Sequence, residues 1–175
     1  MLRLGPLRLH WSLLLGAALF CALQPRPLLL AGYLAVLLAH VVGHALAVAG
    51  TPTRVDGVLL HGLGGELLGE GEVSPVRRSL IALGGVAGQA ALLAVALLAS
   101  MPHDLHDAFT RRNGVLLLMN LIPVKPLDGA LLWKLPARLR AARRLRFRGT
   151  MRSSRAVQKD VADLLQKIRA SSRVR

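Results

Sequence analysis

The stretch Leu28-Leu29-Leu30-Ala31-Gly32-Tyr33-Leu34-Ala35-Val36-Leu37-Leu38-Ala39-His40-Val41-Val42-Gly43-His44-Ala45-Leu46-Ala47-Val48 decides how this chain is read. A transmembrane helix needs about 20 predominantly apolar residues, and this run supplies them. Inside it, His40 and His44 stand four residues apart, so on a helix they share one face. Two imidazoles placed this way can grip one metal ion, as in the helical H-E-x-x-H site. Polar side chains at membrane depth are costly, so two on one face call for a reason. A satisfied pair of core histidines is the plainer alternative. The residue after the first histidine is Val41, where such a zinc site carries its glutamate.

The 175 residues are 53% hydrophobic but only 3% aromatic, and the apolar excess lies in blocks with almost no polar face. Soluble amphipathic helices keep such a face. The expected class is an all-α, multi-pass membrane protein with about four transmembrane helices. Helix 1 is expected over about Leu9 to Leu23, up to the break at Gln24-Pro25-Arg26-Pro27, and helix 2 over Leu28 to Ala49. Helix 3 is expected over Ser79 to Ser100, where Gly84, Gly85 and Gly88 allow another helix to approach closely. Met101 to Asn113 reads as a polar loop with His103, Asp104, His106 and Asp107. Helix 4 begins near Gly114 and is interrupted by Pro123, Pro126 and Gly129, which puts Asn120 and Asp128 on irregular backbone. Between helices 2 and 3, Arg54 to Val73 is glycine-rich and too broken for a helix. It reads as a short β-hairpin-like loop, tolerated at membrane depth only against protein or a wet cavity.

Charge divides the chain in two. Residues 136–175 carry thirteen Lys/Arg against Asp160 and Asp163, which is +11 of the net +14. The organisation expected is a transmembrane domain over 1–135 and a basic cytoplasmic tail over 136–175. The tail faces anionic lipid, with an amphipathic surface helix over Arg152 to Ile168. Nucleic acid is the weaker partner, since the tail has one aromatic residue, Phe147, and no recognition motif. Arg3 and Arg8 at one end and the tail at the other put both termini in the cytoplasm, with the membrane read as a bacterial cytoplasmic one. The first two dozen residues resemble a signal peptide but lack a small-residue cleavage site, so helix 1 is expected to be retained. Cys21 is the one cysteine and reads as apolar packing, which excludes an intrachain disulfide. His61, His103 and His106 read as solvent-facing loop residues.

A catalytic zinc site needs three protein ligands and an open position. Asp128 is the best third candidate, because an unpaired carboxylate inside an apolar, proline-broken span is costly and a cation relieves that cost.

Asn120, Pro123, Leu127, Asp128 and Gly129, together with His40-Val41-Val42-Gly43-His44, resemble the two motifs of the site-2 protease family of intramembrane zinc metalloproteases. The opening Gly5-Pro6-Leu7-Arg8-Leu9-His10-Trp11 and the Gly64-Gly65 loop sit where that family places them. The resemblance covers about residues 5 to 133. It implies zinc on His40, His44 and Asp128, Asn120 positioning substrate or stabilising an oxyanion, and a transmembrane segment as the bound partner. The departure is Val41, which occupies the position of the family's general-base glutamate and cannot accept a proton. General acid–base help is worth about 10²–10⁴ in rate. The expectation is therefore a homologue with impaired proteolysis that keeps the bundle and the zinc. Glu66 is the best substitute base, ahead of Glu70 and Glu72. An active metalloendopeptidase and a metal-free membrane scaffold are the alternatives. The enzyme question stays open at the level of sequence.

Overall fold

The computed structural model describes residues 2–22, 26–49, 51, 54–70, 73–145, 158–159 and 161. The chain divides into two compact units, Met1–Leu135 and Pro136–Arg175. In the second unit, residues 136–145 are helical. Most of the surface helix expected over Arg152 to Ile168 lies outside the described residues, as does Glu72.

The first unit opens with two short strands, β1 (Leu2–Leu4) and β2 (Leu7–Leu9). Gly5, at φ +62°, turns one into the other in a conformation that other residues rarely adopt. Helix α1 (Ser12–Phe20) follows, then α2 (Pro27–Val48). Pro27 sits at the start of α2, where its fixed φ suits the helix and its missing N–H costs nothing. Strands β3 (Arg54–His61) and β4 (Gly64–Glu70) lead to α3 (Pro75–Leu98). Ser74 caps α3 by accepting the Arg77 N–H, at 3.3 Å. Then come α4 (His103–Asp107), a π-helical segment (Ala108–Arg112), α5 (Asn113–Asn120) and α6 (Gly129–Leu132).

The four strands form one sheet in the order β1-β2-β3-β4. β3 and β4 make the antiparallel hairpin expected from the glycine pattern, with an irregularity between Val55 and Gly57. β2 adds to it in parallel, pairing Leu7 with Val58 and Leu9 with Leu60. The all-α expectation is thus corrected to a mainly helical fold with a small sheet.

Helix 1 is shorter than expected. Leu9 belongs to β2, and α1 has nine residues, a rise of only about 14 Å against a hydrocarbon core of about 30 Å. Among the described residues, two helices, Pro27–Val48 and Pro75–Leu98, are long and apolar enough to cross a membrane. The polar loop expected over Met101 to Asn113 is helical from His103 onward. Some of its polar residues pair within the segment, while Asp104 pairs with Arg26, Arg112 donates to the Phe20 carbonyl and Asn113 donates to the Gln89 main-chain carbonyl. Arg111 donates to Asp107 at 2.7 Å, one turn away, and Thr110 Oγ1 donates to the His106 carbonyl at 2.6 Å.

The bundle is organised by close contact between α2 and α3. A Cβ on Gly43 would stand 2.1 Å from the Gly84 carbonyl oxygen, and one on Gly88 would stand 2.2 Å from that of Ala39. Small residues at both positions let the two backbones touch. Phe20, Tyr33, Val36, Leu37, Ala108 and Leu116 form the core beside this contact, with Cys21 buried among them. On the opposite side of α2, Leu34, Leu38, Val42 and Leu46 are exposed, an apolar face suited to lipid.

Candidate metal centre

Three elements bring the candidate ligands together. α2 presents His40 and His44, both buried. Asp128 stands at the turn before α6, held there by a reversal of the chain after α5. A Cβ on Gly129 would come within 2.3 Å of the Leu121 and Ile122 carbonyl oxygens, so the residue after Asp128 has room only for hydrogen. Trp133 Nε1 donates to the Leu121 carbonyl at 2.8 Å, and Ser79 Oγ of α3 donates to the Leu131 carbonyl at 2.7 Å. These bonds pin α6 against α5 and α3, and with it Asp128.

The geometry is tight. His40 Nε2 and His44 Nε2 face each other at 2.9 Å. Asp128 Oδ2 lies 3.5 Å from the first and 3.4 Å from the second. One ligand atom from each of the three residues falls within 4.8 Å of the others, which is a cluster that could hold a metal ion. The far nitrogens of both rings have partners. His44 Nδ1 is 2.7 Å from the Ile81 carbonyl oxygen, which can only accept, so Nδ1 carries the proton and Nε2 a bare lone pair. His40 Nδ1 is 3.3 Å from Gln89 Oε1. Among the described residues, Asp128 Oδ2 is buried without a hydrogen-bond partner. Buried polar atoms are seldom left so. Two imidazole nitrogens and a carboxylate oxygen, oriented by partners on their far sides, are the donor set of a zinc-type site. The residues present fit such an ion.

Gly85 of α3 makes room for this arrangement, since a Cβ there would stand 2.4 Å from His44 Nε2 and 2.8 Å from His40 Cε1. Gly64 of β4 lies on the other side of His40, with Nε2 at 3.0 Å from where its Cβ would be. Val41 projects against Gly65, whose Cβ would stand 2.4 Å from Val41 Cγ2. The position after His40 is thus covered by the hairpin.

A cleft of about 580 Å³ opens beside the cluster, lined by His40, His44, Asp128, Asn120, Glu66 and His61 among others. Glu66, on β4 opposite Leu59, is the carboxylate that the cleft shares with the three ligands. His61, expected on solvent, ends β3 and lines the cleft instead. Burial lowers its pKa, with the Glu66 carboxylate pulling the other way, so the ring is neutral at pH 7. His103 and His106 are exposed.

Asn120 ends α5 and is 2% exposed. Its Nδ2 donates to the Leu63 carbonyl and to Gln89 Oε1, both at 3.1 Å. Both amide protons are therefore engaged, and donation to an oxyanion would require breaking one of these bonds. Gln89 itself was missed as a site residue by sequence reasoning. Its signal is that of the one polar side chain in the otherwise apolar run from Leu80 to Leu98 of α3.

No family model matches the sequence, and no curated protein matches it. Among solved structures, the chain resembles the site-2 protease from Methanocaldococcus jannaschii, with a TM-score of 0.59. The two are 17% identical, and the match covers 77% of this chain and 68% of that one. The fold is that of a site-2 protease. Together with the two apolar helices, it points to a membrane protein.

Proposed function

We propose that this protein is a membrane-embedded, site-2 protease-like metal-binding protein whose proteolysis is impaired. The observation that carries the reading is the convergence of His40 Nε2, His44 Nε2 and the unpartnered Asp128 Oδ2 beside an aliphatic Val41. Zinc is the ion this donor set suits, and it would supply a Lewis acid and a more acidic bound water. The chain's own residues orient and shield that ion. Nothing at position 41 can take the water's proton. The cleft and its hairpin would then serve to bind a single transmembrane segment of another protein, shielding it without cutting it. The basic residues 136–175 would rest on anionic lipid with both termini in the cytoplasm.

The test is Val41→Glu, read by cleavage of a reporter transmembrane segment in proteoliposomes. Restoring a general base should raise the rate by about 10²–10⁴-fold over a wild type with little or no activity. Wild type that already cleaves as fast as the variant would refute impairment. Glu66 supports a second reading, an active protease, because it lines the same cleft. In that case wild type cleaves and Glu66→Gln does not.

A further inference from the structure

We infer that Gln89 is a positioning residue that fixes the tautomer of His40, as the middle of a relay starting at the Leu63 carbonyl in the hairpin turn. The inference rests on the proposed metal site for its purpose, but the relay itself is legible from hydrogen-bond chemistry alone. A backbone carbonyl can only accept, so the Asn120 side-chain nitrogen, not its oxygen, faces Leu63 at 3.1 Å. The same nitrogen then donates its second proton to Gln89, so Gln89 presents Oε1 to it, again at 3.1 Å. That oxygen is also the atom facing His40 Nδ1 at 3.3 Å, so the His40 proton must sit on Nδ1. Nε2 is left with a bare lone pair aimed at His44 and Asp128.

Each link excludes its reverse. Turning the Gln89 amide over would set its NH2 against the NH2 of Asn120 and would demand an acceptor at His40 Nδ1. The orientation holds although it leaves Gln89 Nε2 buried without a partner among the described residues. The main chain at Gln89 is held as well, since Asn113 Nδ2 donates to its backbone carbonyl oxygen at 2.9 Å. Gln89, Asn113 and Asn120 are all at most 2% exposed, so water does not compete for these bonds. Without the relay, the other His40 tautomer would gain, because a proton on Nε2 could be donated to the bare Nε2 of His44 at 2.9 Å, with Asp128 Oδ2 the next acceptor at 3.5 Å. That proton would occupy the direction a metal needs. The position of the hairpin turn and the readiness of the metal ligand are thereby coupled through three side chains.

The experiment is nitrogen NMR of histidine-labelled full-length protein in lipid nanodiscs after chelator treatment, followed by zinc titration against a competing chelator. Wild type should show His40 protonated on Nδ1. Gln89→Leu removes the acceptor and should move the proton to Nε2, with zinc affinity falling about 10–100-fold. Gln89→Glu keeps an acceptor and should retain the wild-type tautomer. Asn120→Asp turns the donor into an acceptor, should flip the Gln89 amide, and should put the His40 proton on Nε2 while Gln89 stays in place. It carries the test if Gln89→Leu does not fold. His40 protonated on Nε2 in wild type, or on Nδ1 in both Gln89→Leu and Asn120→Asp, overturns the relay. Tautomers that move as stated in a protein that binds no zinc would uphold the relay and refute the metal site.

Discussion

Gly85 lies directly against His44, so closely that a Cβ on the glycine would stand 2.4 Å from the ring's Nε2. α3 is therefore the floor on which both imidazoles rest. Gly85→Ala must displace His44, His40 or the helix, and none can move freely in a close-packed interface. Zinc affinity should fall by at least about 10-fold, by analogy with lost orientation of a ligand. Chelator competition on the purified variant checks this, and unchanged affinity would mean that the rings are not held where they stand.

The hairpin turn is fastened to α2 by Tyr33, whose hydroxyl donates to the Gly62 carbonyl at 3.0 Å within a fully buried side chain. Tyr33→Phe removes the donor and strands a buried acceptor. The expected loss is about 1–3 kcal/mol of stability, measured by thermal unfolding in a fixed detergent. Because Leu63 follows Gly62, His40 should also become less uniformly protonated on Nδ1.

These two contacts mark what the sequence reveals and what it hides. The helix carrying His40 and His44 was legible because its apolar run and i, i+4 spacing are local properties. So was the β3–β4 hairpin, from Gly57, Gly62, Gly64 and Gly65 between short β-forming runs. Asp128 stood out as a carboxylate in an apolar, proline-broken segment. β1 and β2 were hidden, because Leu2-Arg3-Leu4 and Leu7-Arg8-Leu9 are three-residue strands whose partners lie partly some fifty residues away in β3. The helix over His103 to Arg112 was hidden by its charges, which pair with one another one turn apart. Gln89 and His61 owe their places to tertiary packing, which a residue pattern does not encode.

Asp107 offers a test of that charged helix. The Arg111 hydrogen bond, followed by Arg112, holds its carboxyl well below the usual range, at about 2. A depressed folded-state pKa contributes stability that is present above the unfolded value, near 3.8, and is lost as pH falls towards 2. Asp107→Asn should therefore be less stable than wild type at pH 5, and the difference should shrink steadily between pH 4 and pH 2. Thermal unfolding across that series measures it, and a difference independent of pH would assign the effect to packing.

The reversal after α5 depends on Gly129, which has no space for a side chain beside the Leu121 and Ile122 carbonyl oxygens. Gly129→Ala should swing Asp128 away from the histidines and abolish stoichiometric metal binding, with α2 and α3 still folded by circular dichroism. Retention of metal would show that Asp128 is not a ligand.

The proposed metal site on His40, His44 and Asp128 stands or falls on zinc per chain. Wild type, His44→Ala and Asp128→Ala, purified alike in detergent, would be compared by elemental analysis. About one zinc per wild-type chain, lost in both variants, is the predicted result. No zinc in wild type, or zinc undiminished in either variant, would contradict it.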